Sequence, residues 1–390
     1  MRALVLNTNE KSITVQDVPK PKPGPKQILV CVRAVALNHV DYMNAFKPLA
    51  AQVKRVLGSD FAGEVVEAGL DLIDSDDPRV KIGERVSGFL QGANSVNDRA
   101  GAFAEYLVAD YDLCWTVPRS VSFEEAATIS LASMTAAQAI FWRLQFPSPF
   151  SETEGFSKLK LEEGEAVNVF IYGATSSVGL YAAQLVRISE KTCNKKINLI
   201  GAASPSKHAL LYKAPYLYDS LVDYRNPVWP EIVHKAAGGT GVNYAIDAIS
   251  QGSSVEQTDS VIRDGGKLAV FRAPAAGGFD VAKLKVKPIF GAVWEALGVD
   301  VVYHGGVTIR STTETRGFAA AFFEFLGSGA LSNEIKLQPN PVRLLSGGFD
   351  KISTEGFKLL SRSLESERGQ SGEILKHASG EKLAFSLTAE

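Results

Sequence analysis

Hydrophobic and polar residues alternate in short runs over about the first third of the chain, and turn-forming residues separate these runs. Alternation with a period of two places side chains on opposite faces of a strand, so this region is predicted to form a small β-barrel or sandwich. The candidate strands are Arg2–Leu6, Ser12–Val15, Gln27–Leu37, Gly63–Ala68, Arg85–Phe89 and Phe103–Val108. The acidic segment 71–81 and the Gly-, Asn- and Ser-rich segment 91–101 predict surface loops.

Helical spacing of hydrophobic residues begins near Ser122. Glu125 follows this serine by three positions, which is typical of a capping box at the start of a helix. Thr128–Trp142 then predicts a mostly buried helix. Around residues 132–135 this helix is either broken or joined to a second helical segment.

The stretch from residue 167 to 187 predicts a buried strand, a tight turn and a helix. The strand is Val167–Tyr172, the turn of small residues is Gly173–Gly179, and the helix begins at Leu180. A helix start leaves N–H groups available, and small residues let an anion approach them, so a phosphate is the expected ligand. Ser176 and Ser177 stand where glycine is common in the strict dinucleotide fingerprint, so an ordinary strand-to-helix turn is the alternative.

Strands and helices alternate after this turn, which predicts a parallel, doubly wound sheet and supplies the context that a phosphate-binding turn needs. The strands are Ile197–Ala202, Ser220–Tyr224, Val242–Ile249 and Gly266–Arg272, and the helices are Pro205–Ala214, Pro230–Ala237 and Ser254–Ile262. Beyond residue 300 the candidates are a β-like run 301–307, helices 317–328 and 356–362, and a closing strand 381–387. We therefore predict an α/β protein whose β-rich domain comprises residues 1–135 and 300–390, with a nucleotide-binding domain at 136–299 inserted into it.

Composition and charge narrow the function. A chain of 390 residues has room for two domains, and its formal net charge of −2 gives no general basic field for nucleic acid. We expect no membrane span, since no apolar run is long enough. Cys31, Cys114 and Cys193 are far apart in sequence, suggest no disulfide framework and favour a reducing, cytoplasmic setting.

The end of the second strand of the inserted domain indicates the nucleotide. An NAD site usually has a carboxylate there to accept hydrogen bonds from the ribose hydroxyls, and none is present. Ser204 and Ser206 can donate hydrogen bonds and Lys207 supplies a positive charge, while Tyr224 ends the third strand and can approach the same phosphate or pack near the adenine. This set favours NADPH over NADH. A capped helix start beside an exposed lysine is the alternative.

Several stretches together resemble the zinc-independent branch of the medium-chain dehydrogenase/reductase superfamily. The resemblance covers nearly the full chain and is closest to quinone-oxidoreductase-like enzymes and to the fungal trans-acting enoyl reductases of polyketide pathways. The stretches are Ala36–Tyr42, Gly58–Gly63, Gly101–Tyr106, Gly173–Gly179, Asp223–Arg225 and, for the fungal branch, Ser204-Pro205 and Ser379–Leu383.

The resemblance implies a GroES-like domain and a Rossmann domain. It places the phosphate loop on Thr175, Ser176, Ser177 and Val178, between Gly173 and Gly179. It also places Asp41, Tyr42 and Thr135 at the nicotinamide end. By looser matching, Phe290, Gly291, Ala378 and Ser379 border the cofactor or substrate.

The zinc-binding branch of the superfamily differs at its metal ligands. Asn38 stands in place of the first zinc-binding cysteine, and Ser59-Asp60 replaces a Gly-His pair. No cluster of cysteines is present, and the five histidines at positions 39, 208, 234, 304 and 377 do not form a recognisable ligand set. We therefore expect no metal.

Without zinc, such a site suits the reduction of an activated C=C bond in an enone or enoyl thioester. The enolate that forms needs a hydrogen-bond donor at its oxygen. Tyr42 either donates that hydrogen bond or packs against the nicotinamide, and Asn38 either orients the carbonyl or satisfies a local turn. Asp41 is expected to be structural or to contact the cofactor, because an ordinary aspartate is ionised at neutral pH. Tyr303 is a further candidate donor, but it is expected to be a core residue.

Two other functions stay open at this point: NADPH-dependent quinone reduction, and a non-catalytic NADPH-binding sensor or partner subunit. The expected partners are a small-molecule substrate and, for a trans-acting enzyme, a polyketide synthase. The chain is expected to be a monomer or a homodimer.

Overall fold

A computed structural model describes residues 1–48, 53–93, 99–152, 164–302, 308–361 and 378–387. The chain divides into two compact units. Unit 1 comprises residues 1–131 and 294–390, and unit 2 comprises residues 132–293. In the described ranges, no helix is long and apolar enough to cross a membrane.

The secondary structure follows in chain order. The first part contains β1 (Arg2–Asn7), β2 (Ser12–Asp17), β3 (Gln27–Ala36), α1 (His39–Phe46), β4 (Lys54–Val56), β5 (Asp60–Ala68), β6 (Arg85–Phe89), β7 (Tyr106–Asp110), β8 (Cys114–Thr116), α2 (Phe123–Ala127) and α3 (Ser130–Ala137). The middle part contains β9 (Val167–Tyr172), α4 (Ser177–Cys193), β10 (Ile197–Ala202), α5 (His208–Leu211), β11 (Ser220–Val222), α6 (Trp229–Ala236), β12 (Val242–Asp247), α7 (Ser253–Ser260), β13 (Ile262–Val270), α8 (Pro274–Gly277) and β14 (Ile289–Phe290). The last part contains β15 (Val301–Val302), β16 (Thr308–Ile309), α9 (Thr313–Gly327), β17 (Val342–Leu345), α10 (Gly348–Lys351), α11 (Phe357–Leu360) and β18 (Lys382–Ser386).

Unit 1 is built on a sheet with the strand order β17-β18-β3-β5-β6-β8, in which β7 also pairs with β3. The C-terminal strand β18 lies antiparallel to β3, with Ala384 opposite Ala36. The last described segment of the chain therefore lies beside strands from its beginning, and this sheet position brings Lys382 near residues that precede it by more than 300 positions.

Unit 2 is a parallel sheet with the order β11-β10-β9-β12-β13-β14 and helices between its strands. The first strand of this unit, β9, lies in the middle and pairs with β10 on one side and β12 on the other. Its core consists mostly of buried aliphatic residues, and within it the rings of Phe170 and Trp229 stack at 5.3 Å. This arrangement confirms the predicted α/β fold class with a doubly wound parallel sheet.

Some predicted elements differ from the structure in extent. The strand predicted at Phe103–Val108 begins only at Tyr106, because Phe103 turns into the core. A Cβ atom added to Gly58, whose φ is +94°, would lie 2.2 Å from the Phe103 ring, so this close approach requires glycine.

The helix predicted at 128–142 is continuous through residues 132–135. It consists of α3 followed by a π-helical segment, Gln138–Arg143, and its small and apolar side chains are mostly buried. The helix predicted at 205–214 is shorter: a 3₁₀ turn, Pro205–Lys207, leads into α5, which ends ahead of Pro215. The capping box is confirmed. The Ser122 N–H donates to the Glu125 carboxylate at 2.8 Å, and the Glu125 N–H donates to the Ser122 hydroxyl at 3.1 Å.

Candidate active site

The predicted phosphate-binding turn joins β9 to α4 at the carboxyl end of the unit 2 sheet. Gly173 has a φ of +73°, which favours glycine, and Ser176 caps α4 by accepting a hydrogen bond from the Gly179 N–H at 3.0 Å. Thr175, Ser177 and Val178 are half-buried in this turn. The first turn of α4 therefore directs N–H groups and the positive end of its dipole toward the turn.

Gly179 keeps the helix close to the strand that precedes it. A Cβ atom at this position would lie 2.3 Å from the Gly173 carbonyl oxygen, which is a backbone atom. A larger residue would push α4 away from the turn and remove the close approach that a dinucleotide pyrophosphate uses. The geometry of these residues fits a dinucleotide cofactor.

The residues predicted to bind the 2′-phosphate come together at the ends of β10 and β11. Ser204 is half-buried and its hydroxyl donates to the Tyr224 hydroxyl at 3.5 Å, while Lys207 is half-buried one turn later and Ser206 is exposed. The Tyr224 side chain is 41% exposed, and its ring meets the edge of Tyr172 at 6.3 Å. Two hydroxyl groups thus meet at one corner of unit 2, and Lys207 follows one turn later in the chain.

Arg225 is a further cation at this corner that the sequence analysis did not assign. Its guanidinium lies 5.6 Å from the centre of the Tyr224 ring and is held by Asp223 through hydrogen bonds of 2.9 and 3.1 Å. This contact lowers the pKa of the Asp223 carboxyl. In the sequence, Arg225 could have been assigned to this corner from its position directly after Tyr224.

The other predicted residues of unit 2 lie elsewhere in that unit. Thr135 is half-buried on α3. Phe290 ends β14 and packs against the unit 2 core. Gly291 follows it, and a Cβ atom there would lie 1.8 Å from the Arg143 guanidinium, so glycine at this position makes room for that side chain.

Unit 1 contains a buried polar network around Asn38, at the start of α1. The Asn38 amide nitrogen donates to the Ser59 hydroxyl at 2.9 Å and to Asp60 Oδ2 at 2.7 Å. The Asn38 backbone N–H donates to Asp41 Oδ2 at 2.8 Å, and the Ser59 hydroxyl donates to Asp41 Oδ1 at 2.8 Å. Both amide hydrogens of Asn38 are therefore engaged within unit 1.

Lys382 supplies the positive charge of this network. Its ammonium contacts Asp60 Oδ2 directly and donates to the Thr128 carbonyl at 3.3 Å. The side chains of Lys382 and Asp60 are 1% and 0% exposed. This role of Lys382 could not be recognised from the sequence, because a lysine in a Gly-Glu-Lys segment is typical of a surface strand.

Asp41 is the second carboxylate of the network and is also buried. The pKa of Asp41 is raised to about 7, mainly by burial and also by the charge of Asp60, against the lowering effects of the bonds from Asn38 and Ser59 and of the charge of Lys382. Both Asp41 oxygens are directed at groups of unit 1. This geometry corresponds to the structural alternative that the sequence left open for Asp41.

Tyr42 follows Asp41 on α1 and lies in an aromatic cluster. Its ring is 4.8 Å from Phe46, 6.1 Å from His39 and 6.3 Å from Phe357. Tyr42 is half-buried, and its hydroxyl makes no hydrogen bond with the residues that the structure describes. Within the described part of the chain, the hydroxyl therefore keeps its capacity to donate a hydrogen bond.

Ala378 and Ser379 lie just before β18. Ala378 packs against the unit 1 core and Ser379 is exposed. Tyr303, His304 and His377 lie outside the described residues. Among the residues described, no group of three or more His, Cys, Asp and Glu side chains could hold a metal ion.

Comparison with known proteins agrees with this architecture. The alcohol dehydrogenase GroES-like domain family matches residues 24–119. Enoyl reductase cheB of Chaetomium globosum is 29% identical over 389 residues, covering 99% of this chain and 93% of that protein. Trans-enoyl reductase RAP2 of Pyricularia oryzae is 30% identical over 376 residues, covering 95% and 94%.

Among solved structures, CurK enoyl reductase matches with a TM-score of 0.69 at 18% identity over 99% of both chains, a likeness of fold. The GroES-like unit and the Rossmann unit together define a medium-chain dehydrogenase/reductase. Within that superfamily the chain belongs to the trans-enoyl reductases. Membership implies a nicotinamide cofactor.

Proposed function

We propose that this protein is an NADPH-dependent, zinc-independent reductase of activated C=C bonds in enoyl thioesters or enones. The single observation that carries the cofactor choice is the corner formed by Ser204, Lys207 and Tyr224. A carboxylate at the end of β10 would repel a 2′-phosphate, and the residues there are hydroxyl donors and an ammonium group instead.

The pyrophosphate of the cofactor would be held by the turn between Gly173 and Gly179, at the start of α4. Among the described residues around Tyr224, the carboxylate of Asp223 accepts hydrogen bonds from Arg225. Its negative charge is therefore offset, and Arg225 adds to the positive field around Tyr224.

The bound nicotinamide would supply the hydride that the β-carbon of the substrate accepts. In this proposal the Tyr42 hydroxyl donates a hydrogen bond to the substrate oxygen, where negative charge develops as an enolate forms. The freedom of that hydroxyl from bonds with the described residues supports the donor role over pure packing. Asn38 is assigned a positioning role, since its amide hydrogens are already bonded to Ser59 and Asp60.

The names of the related proteins support a polyketide synthase as the partner. Proteins named trans-enoyl reductases are 28–30% identical to this chain over 86–95% of its length in four of the comparisons. We infer that this chain acts on a substrate carried by a polyketide synthase, as the fungal resemblance implies.

The first test is a fluorescence titration with NADPH and NADH of the wild type, Lys207→Ala and a control, Lys195→Ala. Lys195 is an exposed lysine at the opposite, amino-end edge of the unit 2 sheet. We expect Lys207→Ala to weaken NADPH binding about 10- to 100-fold, the effect of losing one charge-assisted hydrogen bond of about 1.5–3 kcal/mol. NADH binding and the Lys195→Ala control should stay close to wild type.

Equal affinity of the wild type for both cofactors would contradict the NADPH assignment. Turnover is then measured with enoyl thioesters, enones and quinones, before and after treatment with a zinc chelator. Activity on quinones alone would replace the proposed substrate class, and tight NADPH binding with no turnover would favour a sensor. Loss of activity on chelation, restored by zinc, would contradict zinc independence.

A further inference from the structure

The buried ion pair between Asp60 and Lys382 has no part in the chemistry proposed above, yet three separate chain segments meet at it. Asp60 Oδ2 accepts from the Asn38 amide at 2.7 Å, and Asp60 Oδ1 accepts from the Leu131 N–H at 2.9 Å. Lys382 also bonds the Thr128 carbonyl. The pair therefore connects the start of α1, the start of α3 and the first residue of β18.

Each of these segments leads directly to residues predicted at the nicotinamide end. Tyr42 lies on α1, Thr135 lies one helical turn beyond Leu131 on α3, and Ser379 precedes Lys382. All the contacts that define the pair lie within unit 1. The same two charged side chains thus fix the backbone from which the predicted site residues project.

Stability alone gives little reason to keep such a pair. Replacing a buried ion pair with apolar residues of similar size is often neutral or stabilising, because desolvating both charges costs more than their attraction returns. A buried ion pair is better explained by a need to hold neighbouring groups in a fixed position. Here the geometry is a chain of bonds from Lys382 through Asp60 to the Asn38 side chain, and from the Asn38 backbone to Asp41.

We propose that Lys382 and Asp60 are positioning residues of the reductase, which hold Asn38 and the start of α1 so that the Tyr42 hydroxyl meets the substrate oxygen. The inference rests on the proposed function. It assigns a role in catalysis to the C-terminal strand, through a lysine that does not touch substrate or cofactor.

The test compares Lys382→Met, Lys382→Arg and the double variant Asp60→Asn/Lys382→Met. Lys351→Met serves as the matched control, because Lys351 is an exposed lysine of the same unit. The double variant removes both charges of the pair and does not leave Asp60 as an unpaired charge, so it keeps the test informative where Lys382→Met fails to fold. For each protein, NADPH affinity, kcat, KM and the pH dependence of kcat/KM are measured with an enoyl thioester.

We expect kcat to fall on the order of 10- to 100-fold in the double variant, since small displacements of reacting groups have effects of that size. NADPH affinity should stay within about twofold of wild type, because the residues proposed to bind its phosphates, in the turn 173–179 and at Ser204, Lys207 and Tyr224, lie in unit 2. Lys382→Arg should recover part of the lost kcat by restoring the charge.

The pH profile supplies a readout that a purely structural role would not move. Asp41 accepts hydrogen bonds from the Ser59 hydroxyl and the Asn38 N–H, and the charged groups that act on it are Asp60 of β5 and Lys382 of β18. Removing the positive charge of Lys382 while Asp60 remains raises the pKa of Asp41, so the acid limb of Lys382→Met should move to higher pH. Asp60→Asn alone should move it to lower pH.

A double variant with wild-type kcat and an unchanged pH profile would overturn the inference while leaving the proposed function intact. A wild type that binds NADPH but reduces no enoyl thioester or enone would overturn the proposed function and the inference together. The two failures are thus distinguished by the wild-type measurement.

Discussion

Among the described residues, each unit contains an aspartate with no exposed surface, and these two aspartates are held in opposite ways. Asp60 in unit 1 is paired with an ammonium group that lies 322 residues away in sequence. Asp247, which ends β12 in unit 2, accepts from the Ile249 and Ser250 N–H groups at 2.9 and 2.8 Å and from the Ser254 hydroxyl at 2.6 Å. Those donors all lie within seven residues of it.

The difference shows where each unit depends on long-range folding. Asp247 is satisfied by the turn that follows its own strand, so its bonds form whenever that turn forms. Asp60 gains its counter-ion, Lys382, only when β18 lies beside β3. The polar centre of unit 1 is therefore sensitive to changes at the far end of the chain, and the corresponding centre of unit 2 is not.

The largest expected effect is on the stability of unit 1. Lys382→Met leaves the Asp60 carboxylate buried without its cation, and breaking a buried pair in this way costs about 3–5 kcal/mol. Hydrogen exchange in β3 and β5 should quicken far more than exchange in β9 and β12.

The double variant Asp60→Asn/Lys382→Met is the control for this prediction and should recover most of the lost stability. Equal quickening of exchange in both units, or no recovery in the double variant, would show that the ion pair is not the cause.

A smaller and more local effect is expected from Asp247→Ala in unit 2. The change removes the acceptor of three donors, and leaving buried donors unsatisfied costs about 1–3 kcal/mol. Exchange should quicken in the turn 248–252 and in β12, with unit 1 unchanged. Asp264→Ala, at an exposed position of the same unit, should stay within about 0.5 kcal/mol. An equal loss in both variants would refute the local account.

The most gradual effect, spread over several pH units, concerns Asp41. Its folded-state pKa of about 7 lies above the ordinary value of 3.8. The folded state therefore binds this proton more tightly, and the resulting stability is complete below about pH 4 and is lost as pH rises toward 7. At the steepest, the free energy of unfolding falls by about 1.4 kcal/mol per pH unit from this group.

Asp41→Asn cannot ionise and should show a shallower decline than the wild type between pH 4 and 7 in urea unfolding. The difference between the two curves isolates Asp41 from other titrating groups. Parallel curves over this window would mean that Asp41 titrates near its ordinary value.

Much of the candidate cofactor site could be predicted because its signals are local. Gly173, Ser176 and Gly179 are recognisable as a strand-to-helix turn from neighbouring residues alone. Ser204 and Lys207 follow the next strand at the position where the nucleotide ribose is read. Their assignment to NADPH stays a prediction, as does the division of the chain at residues 135 and 300. The turn is closed by an equally local bond, in which the Gly179 N–H donates to the Ser176 hydroxyl.

The sequence by itself determined the fold class and the local elements, since hydrophobic periodicity, helix caps and tight turns depend on residues close together in the chain. The family was indicated by the resemblance of several motifs. Only the tertiary structure decided that Lys382 faces Asp60, that the Asn38 amide is fully engaged and that Phe103 leaves its predicted strand to pack over Gly58. These outcomes depend on which distant segments lie side by side in the sheet. No spacing within a short window carries that information, so the buried charge network of unit 1 became visible only in three dimensions.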